Sequence, residues 1–463
     1  MIRKLAVCLL FALPLATTAG AAETPNIVVI FVDDMGYGDL GVYGHPTIRT
    51  PNLDRMASEG MRFTQFYAAA PLCTPSRAAL LTGRLPIRNG MTSDVNGVLF
   101  PNSLHGLPPN EITIAEALKT NGYATAAIGK WHLGHRPEYL PLANGFDSYF
   151  GIPFSNDMNR IAGRAPRELF LDPRIEYWDV PLMRDGEIIE QPANQVTITR
   201  RYTEEAVQFI REHRDDSFFL YLAHSLPHVP LFRDTAFAGV SERGLYGDVV
   251  EELDWSAGEI MRVLREEDLA QNTLVFFTSD NGPWLSQLEQ GGSAGLLRGG
   301  KGMTWEGGVR EPAIAWWPGT IEPGVVETAL ASTLDLFPSI LSLAEVEPPA
   351  DRIIDGRNIV PLLTGEGDVP ADDPFFYYRG TRLYAVRVGP WKAHFMTEWA
   401  YARNTDYTEH DPPLLFDLNT DPSEQFNVAA EHPEVIADLL AAVAAHRERL
   451  VAGPDQLAAR GGP

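Results

Sequence analysis

Acidic and amide side chains follow two apolar runs of the sequence, at points where the chain changes from strand-like to polar. Asp33 and Asp34 follow one run, and Asp280 and Asn281 follow another. The carboxyl ends of parallel strands meet at one edge of a sheet, so we expect these groups to lie together. They offer only hard oxygen ligands, which suit Ca²⁺ or Mg²⁺ and not zinc.

Two further strand ends carry basic and imidazole groups. Lys130 and His132 follow a third apolar run, and His224 and His228 follow a fourth. Each group taken alone has an ordinary explanation, because Asp-Asn-Gly is typical of a turn and Asp-Asp of a helix cap. Their convergence on one sheet edge is what favours a functional site.

Cys73 stands at the start of a predicted helix. The segment 71–83 reads PLCTPSRAALLTG, and Pro75 suits the first turn of a helix that continues through Leu81. Free backbone N–H groups at a helix N-terminus favour an anion, and Arg77 lies one turn further on the same face. A buried, inert cysteine is the alternative interpretation.

Lys301 completes the candidate set. It lies between glycines in the segment 298–302. A lysine flanked by glycines can approach an anion closely. Taken alone, however, the segment is more typical of an ordinary surface loop. Three aspartates and one divalent cation sum to −1, and Lys301, Lys130 and Arg77 bring the site to +2. The predicted pocket therefore suits an oxyanion.

The whole chain has the opposite charge. Its 463 residues include 37 Lys and Arg against 61 Asp and Glu, a formal net charge of −24, which makes nucleic acid an unsuitable partner.

Residues 1–21 have the pattern of a secretory signal peptide, with an apolar run at 5–15 that is too short to span a bilayer. Cys8 leaves with that segment, so Cys73 is the sole cysteine of the mature chain. We expect a secreted or periplasmic protein without stable membrane insertion.

Alternating helical and apolar patterns predict the elements that position these residues. The predicted strands are 27–32, 124–128, 217–223 and 274–278, and the predicted helices are 111–120, 203–212 and 249–265. Continuous apolar strands between helices indicate an α/β fold with a large, mainly parallel, buried sheet flanked by helices.

The C-terminal part has a different pattern. The segment 361–374 is rich in Pro, Gly and Asp and predicts a boundary. Alternating strands at 383–388 and 391–395 and a helix at 434–451 follow it. We therefore predict a signal peptide (1–21), a catalytic domain (22–365) and a smaller C-terminal α+β subdomain with an antiparallel sheet (366–463).

In order along the chain, these motifs resemble those of the sulfatase family, the formylglycine-dependent enzymes of the alkaline phosphatase superfamily. Cys73-Thr74-Pro75-Ser76-Arg77 is similar to the Cys-x-Pro-x-Arg modification motif. The family's other motifs are matched by the segments 33–38, 129–134, 279–282, 301–310, 415–418 and 421–424. The segments 151–155 and 375–380 resemble the arylsulfatase A and N-acetylgalactosamine-6-sulfatase branch. Animal members of that branch carry disulfides, which this mature chain cannot form internally.

The resemblance implies a sulfuric ester hydrolase with an alkaline phosphatase-like fold. A separate maturation enzyme would oxidise Cys73 to formylglycine, whose hydrate attacks sulfur with Asp280 as base and forms a sulfate ester on residue 73. His132, with Lys130 nearby, would then remove the proton of the second hydroxyl and release sulfate. The implied ligands of calcium, with magnesium less favoured, are Asp33, Asp34, Cys73, Asp280 and Asn281.

The resemblance also implies contacts to the substrate. His228 and Lys301 would stabilise or protonate the leaving oxygen, and Arg77 would hold the reacting oxygens. The implied substrate-binding residues are Lys130, Ser155, His228 and Lys301. Aryl sulfates and sulfated sugars are the implied substrates.

Other functions remain open at this stage. A phosphonate or phosphate ester hydrolase of the same fold is one alternative, and a non-catalytic calcium-binding or glycan-binding protein is another. The segments 154–200 and 283–300 are expected to form loops over the pocket mouth. Arg160, Arg164 and Arg167 in the first segment could meet a second anionic group, although solvated loop arginines are the more common case.

Overall fold

The computed structural model describes residues 24–161, 166–370, 372–401 and 407–462, so the predicted signal peptide lies outside the described residues. The strands are β1 (Asn26–Val32), β2 (Met61–Tyr67), β3 (Ala124–Lys130), β4 (Ser148–Ile152), β5 (Leu182–Arg184), β6 (Glu187–Glu190), β7 (Phe218–Ala223), β8 (Thr273–Ser279), β9 (Arg310–Trp316), β10 (Val325–Glu327), β11 (Ala331–Ser332), β12 (Phe375–Arg379), β13 (Arg382–Val388), β14 (Trp391–Thr397) and β15 (Thr408–Asp417). The α-helices are α1 (Pro51–Glu59), α2 (Cys73–Thr82), α3 (Pro86–Asn89), α4 (Ile114–Lys119), α5 (Pro166–Leu171), α6 (Ile198–Glu212), α7 (Leu245–Glu266), α8 (Glu306–Val309), α9 (Leu336–Leu343), α10 (Val360–Thr364) and α11 (Pro433–Arg449).

Eleven strands form one large mixed sheet. Its order is β10-β2-β9-β8-β1-β7-β3-β4-β5-β6, with β11 beside β2. The central strands β8, β1, β7, β3 and β4 are parallel to one another. Strand β9 is antiparallel to β8 and β2, and β5 is antiparallel to β4 and β6, whereas β10 and β11 are parallel to β2. The predicted α/β class with a mainly parallel sheet is confirmed.

The central strand β1 is buried on both faces. Val28, Ile30 and Val32 lie in an apolar cluster with α6 and α7, and Ile27 and Val29 lie in a second cluster with α2, α4 and α9. Burial of each such side chain contributes about 1.5–3 kcal/mol to folding. This two-sided core explains why the strand sequence is apolar without alternation.

Strand register brings the candidate residues to one edge. Val32 is level with Ser279 in β8, and Ala223 in β7 is level with Gly129 in β3. The polar groups that follow these positions therefore leave the sheet at the same end. This is the end at which open α/β sheets bind ligands.

A separate antiparallel sheet stands at the C-terminus. Its order is β12-β13-β14-β15, and α11 packs on β13 and β14. Its apolar cluster includes Tyr67 and Ala79 from the N-terminal part of the chain. The predicted C-terminal antiparallel sheet and helix are both present.

One detail differs from the sequence-based expectation. The segment 154–200 is not a continuous loop, because β5 and β6 extend the large sheet beyond β4. The predicted position of Cys73 at the start of a helix is confirmed, since α2 begins at this residue. Among the described residues, no helix combines the length and apolarity needed to cross a bilayer.

Candidate active site

The carboxylates that follow β1 and β8 converge at the sheet edge. Asp33, Asp34 and Asp280 are each at most 3% exposed. The backbone amide of Asp34 donates to Asp280 Oδ1 at 3.2 Å, and Asp34 takes a left-handed conformation with φ of 65°. Asn281 Nδ2 donates to Asp34 Oδ1 at 2.7 Å. Hydrogen bonds thus join Asp34, Asp280 and Asn281, and Asp33 adjoins them in the chain.

Cys73 is the first residue of α2 and points at this group. Its Sγ lies 3.4 Å from Asp33 Oδ1, and every residue of α2 is buried. Burial, and next the charge of Asp33, raise the pKa of the Cys73 thiol well above its usual value. The unmodified side chain is therefore a neutral thiol and not a reactive thiolate.

Each of the first two aspartates is paired with a buried lysine. Lys130 Nζ lies 2.5 Å from Asp33 Oδ2 and 3.1 Å from Ser155 Oγ. Lys301 Nζ lies 2.7 and 2.8 Å from the two Asp34 oxygens. Burial opposes the charge of Asp33, but Lys130 and the neighbouring cations outweigh it and hold its pKa well below the usual value. At Asp34 the effect of burial is larger than the opposing effect of Lys301, so the pKa of Asp34 is raised.

Arg77 holds the third aspartate. Its Nε and Nη2 donate to Asp280 Oδ2 at 3.1 and 2.9 Å, and its Nη1 donates to the Lys130 carbonyl at 2.8 Å. It lies 3.7 Å from Asp33 Oδ2. The side chain is fully buried, so these contacts fix the relative position of β3 and β8 at their ends. The predicted contact of Arg77 with the reacting oxygens stays a prediction.

The two histidines of the site are buried and neutral. His132, with φ of 58°, shares a hydrogen bond between Nε2 and the Leu99 carbonyl at 2.9 Å. That carbonyl requires a proton on Nε2, and Nδ1 has no partner among the described residues. Burial, followed by Lys130, lowers the pKa of His132 well below its usual value. The ring therefore presents an unprotonated nitrogen that suits a general base.

His228 lies on the other side of the acidic group. Its Nδ1 is 2.5 Å from the Val229 carbonyl, and its Nε2 is 3.7 Å from Asp34 Oδ2. Burial, followed by Lys301, lowers its pKa well below the usual value. His224 instead lies 3.1 Å from Ser256 on α7, and burial lowers its pKa to about 3, as for a structural neutral histidine.

The oxygen donors of the site fit a hard cation, and a thiol and an imidazole lie beside them. Ligand atoms of Asp33, Asp34, Cys73 and His228 all lie within 4.8 Å of one another. Asn281 Oδ1 is buried beside them and has no hydrogen-bond partner within the described ranges. Such an unpaired amide oxygen next to carboxylates suits Ca²⁺. Sequence reasoning assigned Asp280 to the metal and not His228, yet the histidine lies in this group while Asp280 is engaged with Arg77.

Two aromatic residues at the site were missed by sequence reasoning. Lys301 Nζ lies 4.6 Å from the ring centre of Trp284, and that ring lies 5.0 Å from Tyr401 and 5.4 Å from His228. Aromatic residues in a loop carry no motif of their own. Only the fold shows that Trp284 shields Lys301.

The segment that carries Lys301 is anchored by the C-terminal sheet. Lys392 on β14 contacts Glu306 Oε1 at 2.9 Å, Glu424 Oε1 at 3.0 Å and the Thr304 carbonyl at 2.8 Å. Glu424 Oε2 accepts from the Glu306 amide at 2.7 Å, and His394 lies 2.6 Å from its other oxygen. Lys392, Glu306, Glu424 and His394 are all fully buried.

Glu306 is ionised in this cluster. Burial opposes ionisation of Glu306, but Lys392, Arg310 and Arg387 outweigh it and lower its pKa to about 2. The motif at residues 421–424 includes Glu424 and resembles a family segment. The motif alone did not show that Glu424 contacts the segment that carries Lys301. We call Glu306, Lys392, His394 and Glu424 the anchor network.

The loop arginines do not join the site in the described residues. Arg160 is exposed and pairs through its backbone with Trp178. Arg164 and the side chain of Arg167 lie outside the described residues.

The fold and this site define a sulfatase. The family model "Sulfatase" matches residues 25–346, and the model "C-terminal region of aryl-sulfatase" matches residues 370–461. The chain belongs to the sulfatase family and is an enzyme of that class.

Named relatives cover almost the whole chain. It is 44% identical to human N-acetylgalactosamine-6-sulfatase, over 95% of this chain and 88% of the relative. It is also 44% identical to human arylsulfatase A, over 92% and 88%. Among solved structures, a sulfatase from Pseudoalteromonas sp. superposes with a TM-score of 0.81 at 30% identity, over 92% of this chain and 90% of that one. The predicted resemblance to this branch is confirmed.

Proposed function

We propose that this sulfatase hydrolyses sulfate monoesters of aryl alcohols or sugars, with residue 73 as nucleophile after its oxidation to formylglycine. One observation carries the proposal. Cys73 Sγ stands at the buried N-terminus of α2, 3.4 Å from Asp33 and beside two lysine-paired aspartates. A side chain in that position meets a sulfuryl group between cationic groups.

The chain's own groups suit the two halves of the reaction. The hydrated aldehyde supplies one hydroxyl for attack on sulfur and a second hydroxyl whose deprotonation releases sulfate. His132, with its free Nδ1, is suited to remove the second proton. Asp280 is the proposed base for the first. Lys301 is proposed to stabilise or protonate the leaving oxygen, and so is His228 once its Nε2 carries a proton.

The cationic side chains, together with the proposed divalent cation, would account for binding of an anion by an acidic protein, because they bring three aspartates from −3 to +2. Lys130, Lys301 and Arg77 are buried around the aspartates, whereas the chain as a whole carries −24. A local positive potential in a water-poor site outweighs a distant negative surface. Ser155, 3.1 Å from Lys130 Nζ, is the proposed additional substrate contact.

A divalent cation completes the proposed site. Ca²⁺, in preference to Mg²⁺, would be held by Asp33, Asp34, residue 73, Asp280 and Asn281. When bound, the ion would act as a Lewis acid on the sulfate oxygens and favour the ionised nucleophile. The unpaired Asn281 oxygen supports this assignment.

The proposed biology follows from the same residues. A formylglycine-generating enzyme is the proposed maturation partner, because the sequence encodes cysteine at position 73 and the proposed nucleophile is an aldehyde. Residues 1–21 would direct the chain to a secreted or periplasmic location. The names of the two relatives make sulfated N-acetylgalactosamine and aryl sulfates the first substrates to test.

Side-by-side turnover of an aryl sulfate and the matching aryl phosphate and phosphonate tests the proposal. We expect the sulfate ester to have the highest kcat/KM. A preference for phosphate or phosphonate by orders of magnitude would overturn it. An inert enzyme with a confirmed aldehyde at residue 73 would favour the non-catalytic alternative.

A further inference from the structure

One aromatic residue, Trp284, contacts both groups that are proposed to serve the leaving oxygen. Its ring centre lies 4.6 Å from Lys301 Nζ and 5.4 Å from the centre of the His228 ring. These separations are typical of a cation–π contact and of a tilted aromatic pair. A leaving group bound between Lys301 and His228 would therefore have Trp284 as a neighbour.

Tyr401 extends this aromatic surface from a distant part of the chain. Its ring centre lies 5.0 Å from that of Trp284, with an angle of 46° between the ring planes. Burial raises the pKa of the Tyr401 hydroxyl to about 12, and the charge of Lys301 opposes this shift while the charges of Asp34 and Cys73 add to it. Tyr401 is thus electrostatically coupled to the nucleophile position. We call Trp284 and Tyr401 the aromatic wall.

Close backbone contacts hold both rings beside Lys301. The Lys301 amide donates at 2.9 Å to the carbonyl of Pro283, the residue directly before Trp284. Gly302 has a φ of 78°, and a Cβ added to it would lie 3.1 Å from the Tyr401 ring. A larger residue at this position would strain the backbone and displace Tyr401. The aromatic wall is therefore fixed to the segment that carries Lys301.

The aromatic wall is accessible to a ligand. Tyr401 is 45% exposed and Trp284 is half-buried, whereas Lys301 beside them is 4% exposed. Exposed apolar surface that adjoins a buried polar site is typical of a surface that a ligand covers. The part of a substrate outside the cationic pocket would therefore meet aromatic rings first.

The wall has few groups that bind hydroxyls. Leu285 follows Trp284, is 39% exposed and lies against Gly300, whose added Cβ would be 2.8 Å from the leucine Cγ. Trp284, Leu285 and Tyr401 together offer one indole N–H and one phenol as polar side-chain groups. A sugar packed on them would leave most of its hydroxyls without partners from the wall, and a buried polar group without a partner costs free energy. The wall therefore suits an apolar leaving group.

We propose that Trp284 and Tyr401 contact the leaving group and select sulfate esters of planar aromatic alcohols over esters of saturated rings. The inference rests on the proposed function, which assigns the leaving oxygen to Lys301 and His228. A planar ring stacked on the wall gains aromatic contacts beyond the area that it buries, and a saturated ring of the same size does not. The two residues thereby determine which alcohol the enzyme accepts.

Equilibrium binding to the full-length Cys73→Ala variant, with calcium present, tests the aromatic wall without turnover. The probes are phenyl sulfate and cyclohexyl sulfate, which have the same charge and a similar size, and galactose 6-sulfate. We expect phenyl sulfate to bind about fivefold more tightly than either of the other two esters. Trp284→Leu and Tyr401→Leu, each added to Cys73→Ala, should reduce the ratio of phenyl to cyclohexyl affinity to about twofold or less.

Matched variants separate the ring contact from general effects on the fold. Trp284→Phe and Tyr401→Phe keep an aromatic ring and should retain a ratio of about threefold or more. Trp255→Leu should leave the ratio unchanged. It removes a half-buried tryptophan of α7 that packs on Phe237, with ring centres 5.9 Å apart.

Three results would overturn the assignment. These are equal affinity for phenyl and cyclohexyl sulfate, a preference that survives both leucine substitutions in the wall, and tighter binding of galactose 6-sulfate than of phenyl sulfate. Absence of binding by all three probes would likewise contradict it. If the matured enzyme hydrolysed no sulfate ester while the phenyl preference persisted and depended on the wall, the proposed function would fail and the aromatic wall would stand. Turnover of all three esters without a preference in binding would have the opposite meaning.

Discussion

The backbone amide of Glu306 donates a hydrogen bond to Glu424 Oε2 at 2.7 Å, and through this contact the C-terminal part of the chain holds the segment that carries Lys301. Arg298, on the other side of Lys301, donates to the Glu424 carbonyl at 2.8 Å. Both ends of the segment 298–306 are thus attached to one residue. The C-terminal sheet is therefore part of the active-site architecture and not a separate appendage.

Glu424→Ala should impair both stability and catalysis. It leaves Lys392 buried without one of its two carboxylates, and breaking a buried ion pair costs about 3–5 kcal/mol. Displacement of Lys301 should lower kcat per folded molecule by about tenfold or more. Glu424→Gln, which keeps an acceptor for the Glu306 amide, should retain more activity.

Thermal unfolding and kcat on a small aryl sulfate, both measured well below the unfolding temperature, check this prediction. Glu434→Ala on α11 is the control, because its side chain is 69% exposed. A purely structural role would lower the unfolding temperature and leave kcat of the folded enzyme unchanged, which would contradict the positioning role.

Lys301→Ala should slow the reaction unequally for different leaving groups. If Lys301 stabilises the leaving oxygen, its loss should cost about a hundredfold or more for a sugar sulfate. The loss should be smaller for nitrophenyl sulfate, whose leaving group needs no proton. Lys119→Ala, at a half-exposed site, serves as control. Equal losses for both substrates would assign Lys301 to binding instead.

Removal of divalent cations should inactivate and destabilise the enzyme. Asp33, Asp34 and Asp280 are buried together, and a divalent cation held between them would relieve their mutual repulsion. Calcium at a hundred times its dissociation constant should stabilise the fold by about 2.7 kcal/mol. Unfolding temperature as a function of added Ca²⁺ measures this, and Asn281→Ala should shift the curve to higher concentration. If chelation of divalent cations changed neither the unfolding temperature nor the activity, the proposed metal site would be excluded.

His446 should make the C-terminal part sensitive to acid. Its ring stacks on Phe376 at 3.8 Å and lies 2.8 Å from the Tyr378 hydroxyl. Burial, and then the nearby arginines, lower its pKa to about 4, against about 6.5 in an unfolded chain. The unfolded chain therefore binds the proton first, so the stability present above pH 6.5 is lost as pH falls towards 4.

His446→Gln, which keeps an acceptor for Tyr378, should flatten the dependence of unfolding temperature on pH between 7 and 4. His432→Gln is the control, because its side chain is 37% exposed. An unchanged slope in the His446 variant would contradict this assignment.

The sequence predicted the parts of the site that depend on strand ends. Several site residues end or directly follow an apolar run, namely Asp33, Lys130, His224 and Asp280. Parallel strands bring such positions to the same edge of the sheet, independently of the connections between the strands. The position of Cys73 at a helix start followed from Pro75 in the same way. These inferences needed only local patterns and one rule of topology.

The anchor network could not be predicted, because its partners are distant in the sequence. Lys392 and Glu306 are 86 residues apart, and Glu306 and Glu424 are 118 apart. Charged residues in alternating strands usually face solvent, so Lys392 carried no sign of burial.

Mass spectrometry of the peptide that carries residue 73 tests the central claim most directly. The enzyme should be produced with a formylglycine-generating enzyme, and the same preparation assayed on an aryl sulfate. We predict an aldehyde at residue 73, turnover proportional to the modified fraction, and a folded but inactive Cys73→Ala variant. Full turnover by enzyme whose residue 73 remains an intact thiol would contradict the account.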